Sequence, residues 1–173
     1  MKRIIICLAL VVWSVASMAQ AWRLECAEVE RDDKHYEVFQ YRVQDSLQGY
    51  YLGLNTPDRI PGSLITFDVF TEVCVYLGET LEEAQATLED MMALIGEEVG
   101  TSKEYVARMA LGVDLDEKST TTCTVQKRLL GGHRLCFSFD HAGYTTQNFF
   151  RKGDLRSLLL SLKVYRKLHP NQQ

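Results

Sequence analysis

The sequence is poor in proline and has a single long apolar run, and each shortage excludes a class of protein. Three prolines and 11 glycines among 173 residues are too few for a collagen-like or low-complexity chain. The one unbroken apolar run covers residues 4–13, which is shorter than the roughly 18 residues that a membrane-spanning helix needs. We therefore expect a globular protein without a transmembrane segment.

The apolar run lies in a segment that is typical of a secretory signal peptide. Lys2 and Arg3 precede the run, and the small residues Ala19 and Ala21 suit a cleavage site. We expect residues 1–21 to be removed on export, so that residues 22–173 fold as a single domain. The expected location is the periplasm or the surrounding medium.

Four cysteines remain after Cys7 leaves with the predicted signal peptide. An even number of cysteines in an exported chain predicts two disulfides, and the absence of C-x-x-C disfavours a redox or zinc-ribbon site. Strand alternation places Cys123 and Cys136 on opposite faces, which excludes a bond between them. Two pairings remain, and because Cys74 and Cys136 both lie on the non-core face of their strands, we predict Cys74–Cys136 with Cys26–Cys123.

Charge is distributed unevenly along the predicted mature chain. Residues 22–100 carry 17 acidic and 5 basic side chains, whereas residues 101–173 carry 6 acidic and 12 basic ones. This contrast has two interpretations, a charged binding face or two halves that pack together and partly neutralise each other. The net acidity argues against nucleic acid as the main partner.

The first half of the chain contains several segments with the two-residue alternation of β-strands. In the clearest one, residues 64–77, Val73, Val75 and Leu77 share one face, and Cys74 lies on the other. Residues 101–112 are ambiguous between a helix with a capping box and a strand, and their longer alternation favours a strand. The remaining strands predicted in this half cover residues 22–31, 35–43 and 49–54.

Residues 120–130 and 133–140 are predicted to form a β-hairpin. A symmetric two-residue loop would place apolar residues opposite polar ones, although cross-strand partners share a face. A three-residue loop, 130–132, removes this conflict and pairs Val125 with Phe137.

Two amphipathic helices are predicted, one in the middle of the chain and one at its end. Thr80 and Glu83 form a capping box for the first, and Pro170 ends the second, which covers residues 152–168. The apolar stripes consist of Leu81, Ala84, Leu88, Met91 and Ile95 in the first helix and of Leu155, Leu158, Leu159, Leu162, Tyr165 and Leu168 in the second.

These elements predict an α+β fold in which a meandering antiparallel β-sheet carries two amphipathic helices packed on one face. Residues 64–95 and 135–168 share an order of strand, acidic turn and leucine-rich helix, which is compatible with a ββα-type internal duplication. Two helices on one sheet do not require a duplication, so both explanations stay open.

Catalytic sequence motifs are absent. The chain contains no G-x-S-x-G, H-E-x-x-H, P-loop or G-x-G-x-x-G pattern, and no two histidines have the i, i+4 spacing of helical metal ligands. We therefore expect no cofactor and no metal. Asp140 and His141 are adjacent, but neighbouring strand residues point to opposite faces, so they do not form an acid–base pair by themselves.

The function that this pattern favours is that of a small exported binding protein, whose partner is another protein or a component of the cell envelope. Tyr50, Tyr51, His141 and Tyr144 are candidates for a recognition surface, although strand aromatics such as the first two more often fill a core.

Two alternative functions remain at this stage. One is a hydrolase in which His141 meets a distant carboxylate in space. The other is a binder of small apolar ligands, with a cavity between sheet and helices that Leu88, Met91, Phe137 or Leu159 would line.

Overall fold

The computed structural model describes residues 21–31, 34–54, 72–111, 114–141 and 144–170, and this part of the chain forms nine β-strands and two α-helices. The predicted signal peptide, apart from Ala21, and residues 64–71 of the predicted strand lie outside the described residues. The elements are β1 (Ala21–Arg31), β2 (Lys34–Val43), β3 (Ser46–Leu54), β4 (Glu72–Gly78), α1 (Leu81–Leu94), β5 (Ser102–Leu111), β6 (Asp114–Leu115), β7 (Ser119–Lys127), β8 (His133–His141), β9 (Tyr144–Arg151) and α2 (Lys152–Leu168).

The strands form an antiparallel sheet that follows the chain order. Neighbours run β1-β2-β3-β4-β5-β7-β8-β9, and the short β6 pairs with β5. The two ends of the sheet approach each other. A hydrogen bond shows this, in which the Tyr36 hydroxyl on β2 donates to the Phe149 carbonyl on β9 at 3.2 Å. The rings of Tyr36 and Phe150 are 4.2 Å apart between centroids. The sheet therefore curls into a half-barrel, and the predicted antiparallel sheet with two helices is confirmed.

Local backbone geometry explains the first hairpins. Gln44 and Asp45 have φ angles of 50° and 63° and connect β2 to β3 as a two-residue turn. Positive φ at both central positions is the geometry that suits the twist of a hairpin. In β1, a bulge between Glu25 and Ala27 interrupts the alternation. Cys26 and Ala27 consequently both lie in the core.

The sequence predictions for β4 and β5 agree with the structure where it describes them. Val73, Val75 and Leu77 are buried in the main core, whereas Cys74 belongs to a second cluster. Residues 102–111 form β5, so the helical interpretation of this segment is wrong. The segment adopts a strand because β5 lies between β4 and β7 and pairs with both.

The β7–β8 hairpin has a longer loop than expected. Lys127 pairs with His133, which leaves a five-residue loop, and Val125 pairs with Leu135 instead of Phe137. The odd loop length is confirmed, but the three-residue loop is wrong. Hydrogen bonds inside the loop close it, and Gly131 and Gly132 adopt φ angles of 85° and 76°.

Both predicted helices are present. The Thr80 hydroxyl accepts from the Glu83 amide at 3.2 Å, and the Glu83 carboxylate accepts from the amide of Glu79 instead of Thr80. One predicted stripe residue, Leu168, is 70% exposed. The main core cluster joins buried side chains of both helices with strand residues, among them Leu81, Leu88, Met91, Leu155, Leu158, Leu162, Tyr36, Val38, Leu52 and Phe137.

The charge contrast along the chain is partly an internal match. On α2, Lys163 pairs with Glu89 at 3.1 Å and Arg166 pairs with Glu82, so basic residues of the second half meet the acidic α1. These pairs favour the interpretation in which the halves neutralise each other. Each exposed pair contributes only about 0–1 kcal/mol to the stability of the fold. The pairs therefore neutralise charge between the two halves but add little to stability.

The predicted disulfides are not formed, and all four described cysteines are buried free thiols. Cys74 on β4 and Cys136 on β8 are separated by two intervening strands. That spacing exceeds the roughly 7 Å between Cα atoms that a disulfide can bridge. Cys26 and Cys123 share the main core but lie on β1 and β7, which do not pair.

Candidate functional site: a basic cleft beside an exposed leucine turn

The tyrosines proposed for recognition are buried, so that part of the predicted surface is wrong. Tyr50 is fully buried in the main core, and its hydroxyl accepts from the Gln40 amide at 3.2 Å. Tyr51 packs in the second cluster against Phe39 and Tyr76. The reason is that β3 lies inside the sheet, between β2 and β4, and apolar side chains cover it on both faces.

The two other recognition candidates lie at the turn between β8 and β9. The backbones of His141 and Tyr144 pair there, and their side chains lie outside the description. The hydrolase hypothesis based on His141 therefore stays a prediction.

The side chains suggested for an apolar ligand cavity form part of the core. Leu88, Met91, Phe137 and Leu159 are all buried in the main cluster. Phe137 also packs edge-on against Phe150, with ring centroids 5.6 Å apart. These contacts give the four residues a structural role and offer no support for the apolar-ligand alternative.

A cleft of about 780 Å³ opens at one end of the half-barrel. Its volume is in the range of ligand-binding sites, which is roughly 300–1,000 Å³. Four elements build it: the end of β1, the turn after α1, the β7–β8 loop and the first turn of α2. The lining residues are Val29, Glu30, Ile95, Arg128, Gly132, His133, Arg151, Lys152, Gly153, Asp154 and Ser157.

The cleft has an excess of positive charge. Its lining contains three cationic side chains, Arg128, Arg151 and Lys152, and two carboxylates, Glu30 and Asp154. The Asp154 carboxylate accepts a hydrogen bond from the Arg151 backbone amide at 2.8 Å, which directs it to the helix end. Within the described part of the chain, the side chains of Arg128 and Lys152 have no ion-pair partner. An anionic group could therefore bind here without displacing an existing ion pair of either residue.

His133 is oriented by a backbone contact. Its Nδ1 lies 3.2 Å from the carbonyl oxygen of Ile95. A carbonyl only accepts, so Nδ1 carries the proton and donates it. The other ring nitrogen, Nε2, is then the one that can serve a ligand, as an acceptor in the neutral ring or as a donor in the cation.

The same cleft contains a histidine, an aspartate and a serine, but they are not arranged as a catalytic triad. In a triad the carboxylate holds Nδ1 of the histidine. Here Nδ1 of His133 bonds to Ile95, and the Asp154 carboxylate bonds to the Arg151 amide. No hydrogen bond joins His133 to Ser157 among the residues described. The three side chains therefore do not form the hydrogen-bonded chain of a triad in this structure.

Two leucines project from the loop that forms one wall of the cleft. Leu129 and Leu130 occupy the centre of a turn that the Gly131 amide closes by donating to the Arg128 carbonyl at 3.2 Å. Their relative exposures are 106% and 95%, so neither packs against the protein. Turn centres favour polar residues and glycine, and two adjacent leucines there have no structural explanation.

A separate charged cluster lies on the face of the sheet opposite the main core. The Arg23 guanidinium lies 4.5 Å above the Phe39 ring, pairs with Glu72 and is 3.7 Å from Glu37. Burial and the nearby Glu72 carboxylate raise the pKa of Glu37 above its usual value. Gly53 makes this cluster possible, because a Cβ at that position would overlap the Glu72 carboxylate.

The same face brings together three side chains that could hold a metal ion. Atoms of Glu25, Glu28 and His35 lie within 4.8 Å of one another, and the bulge in β1 allows both glutamates to share this face. Carboxylate and imidazole ligands suit Zn²⁺ and Mn²⁺. Both carboxylates are exposed, and exposed acidic groups often cluster without an ion, so this donor set alone does not define a site.

Comparison with known proteins adds no further constraint. No family model, curated protein or solved structure matches this chain. Neither described helix has the length and apolar content that spanning a bilayer requires.

Sequence reasoning missed the cleft because its residues come from four separated elements. The leucine turn, in contrast, has a local signal in the sequence. Residues 127–134, Lys-Arg-Leu-Leu-Gly-Gly-His-Arg, place two leucines between basic residues and next to two glycines. The predicted strand 120–130 includes both leucines, whereas the loop actually begins at Arg128.

Proposed function

We propose that this protein is an exported binding protein that holds an anionic group of its partner in the basic cleft at the end of the half-barrel. The observation that carries the proposal is that Arg128 and Lys152, two cations without an ion-pair partner among the described residues, line the same ligand-sized cleft. A carboxylate or phosphate group bound between them would gain charge-assisted hydrogen bonds.

Export is part of the proposal, and its basis is the sequence of residues 1–21. The partner is then a protein or envelope component that presents an anionic group outside the cytoplasm. We also propose that α1 and α2 cover the same face of the sheet, because their buried side chains share one core cluster. A ββα-type duplication remains a hypothesis that this arrangement would suit.

The experiment is calorimetric titration with inorganic phosphate and with a small dicarboxylate. Wild-type protein should bind at least one of them. The substitutions Arg128→Gln and Lys152→Gln should each weaken binding about three- to tenfold, because each removes one charged partner from a partly exposed site. Lys118→Gln is the matched control, since Lys118 is exposed but does not line the cleft. Equal affinity in all four proteins would refute the assignment of the cleft.

A further inference from the structure

The Leu129–Leu130 turn exposes apolar surface without any need from the fold. Both side chains are fully exposed, and a short hydrogen-bonded loop holds them at the tip of the β7–β8 hairpin. Where a sequence breaks the local rule for turns and the fold gains nothing, the exception points to function. Two adjacent leucines at a tip are suited to entering an apolar phase.

Basic side chains lie on both sides of this tip. Lys127 and Arg128 immediately precede the leucines, and His133 follows the loop. Arg134 does not add to this group, because its guanidinium lies 3.9 Å from the centre of the Phe149 ring and donates to Gln126. Lys152 adds another positive charge to the cleft that Arg128 and Gly132 of the same loop also line. An apolar tip within a basic surround matches the layers of an anionic bilayer, in which acyl chains lie beneath a plane of phosphates.

We propose that the Leu129–Leu130 turn inserts into the surface of an anionic phospholipid bilayer while the basic cleft holds a lipid phosphate. This inference rests on the proposed function, because it names the partner whose anionic group the cleft would bind. The protein would lie on the membrane without crossing it.

The expected binding is weak and depends on salt. Each basic side chain near an anionic surface strengthens binding about fivefold, and salt screens this attraction. Each leucine withdrawn from water strengthens binding by about tenfold or more. The acidic Glu30 and Asp154 at the cleft offset part of the electrostatic attraction.

The test is co-sedimentation with large vesicles, either of phosphatidylcholine alone or of equal parts phosphatidylcholine and phosphatidylglycerol. We expect wild-type protein to bind the anionic vesicles, to bind the neutral vesicles at least tenfold less, and to dissociate at high salt. Absence of binding to anionic vesicles at low salt would overturn the proposal and would leave an apolar pocket of a protein as the occupant of the turn.

Variants separate the roles of the turn and the cleft. The double variant Leu129→Ser/Leu130→Ser should lose vesicle binding at least tenfold while it binds inorganic phosphate like the wild type, which also shows that it is folded. Leu168→Ser is the matched control, because Leu168 is an exposed leucine at the other end of α2. Unchanged vesicle binding in the double variant would overturn the role of the turn.

The cleft variant Lys152→Gln distinguishes the two proposals. It should weaken both phosphate and vesicle binding. If phosphate binding falls while vesicle binding persists, the cleft binds anions but does not hold the lipid phosphate, and the inference is wrong in that part. If wild-type protein binds anionic vesicles but no phosphate or dicarboxylate, the proposed function of the cleft fails while insertion of the turn stands.

Discussion

The charged cluster around Arg23 provides the sharpest test of what stabilises the face of the sheet opposite the main core. Its guanidinium reaches from β1 to Glu72 on β4 and to Glu37 on β2, and the side chains of the three residues are 14%, 20% and 19% exposed. Replacing Arg23 by methionine keeps the contact with Phe39 but leaves two glutamates without their common cation. We expect Arg23→Met to be the most destabilising single change in the cluster.

The magnitude follows from burial. Removing one partner of a fully buried ion pair costs about 3–5 kcal/mol, and exposed pairs contribute about 0–1 kcal/mol. Since the three side chains are mostly buried, Arg23→Met should lower the free energy of unfolding by about 2–3 kcal/mol. Glu72→Gln leaves Arg23 its contact with Glu37 and should cost about 1–2 kcal/mol. Gly53→Ala should resemble Glu72→Gln, because the added methyl group displaces the same carboxylate.

Urea denaturation of Arg23→Met, of Glu72→Gln and of the double variant Arg23→Met/Glu72→Gln measures the coupling free energy between the two side chains. We expect the double variant to be more stable than the sum of the single effects predicts, by about 1–2 kcal/mol. Thr122→Val on the exposed β7 position serves as a control that should not couple with Arg23→Met. A coupling energy within error of zero would show that the Arg23 contacts do not stabilise the sheet.

Three further predictions concern the buried cysteines, the packing of the core and the Asp90 carboxylate. The four described cysteines should react with a thiol reagent only on unfolding, because burial raises the pKa of Cys26 to about 11 and that of Cys123 to about 12. Labelling of these cysteines in the folded protein, or a loss of thiol titre in denaturant without reductant, would contradict this. Met91→Ala should lower the free energy of unfolding by about 2–5 kcal/mol in thermal or urea unfolding, since Met91 is fully buried, and a loss below about 1 kcal/mol would be inconsistent with that packing. Burial alone would raise the pKa of Asp90, but hydrogen bonds from Lys103 and Tyr105 outweigh it and lower the pKa below 3.8. The stabilisation that the ionised Asp90 carboxylate provides is therefore present above about pH 4 and is lost as the pH falls through the lowered pKa. Asp90→Asn should flatten the acid side of the stability profile, and an unchanged profile would count against it.

Sequence patterns predicted the elements best where one local signal acted without competition. Alternation in β4 identified the core face correctly, and the Thr80 cap placed the start of α1. Alternation also predicted correctly that β5 is a strand, despite a competing capping signal. Pairing with β4 on one side and β7 on the other stabilises the extended conformation of this segment.

The errors arose where tertiary structure decided. The sequence does not give the order of the strands, so Tyr50 and Tyr51 remained candidates for a recognition surface, and only the sheet order shows that β3 is internal. The disulfide prediction relied on compartment and cysteine number, and neither carries information about distances between strands. The cleft could not be found in this way, since Ile95, Arg128 and Lys152 meet only after the sheet has curled.

Mapping of bound anion by nuclear magnetic resonance tests the central claim most directly. In a titration with inorganic phosphate, the account predicts saturable shifts of the backbone amides of Gly132, His133 and Gly153, which line the basic cleft. The amides of Tyr76 and Ala86, which line a second cleft beside α1, should not move. Shifts that are absent, or that are spread over the surface without a maximum at the basic cleft, would contradict the account.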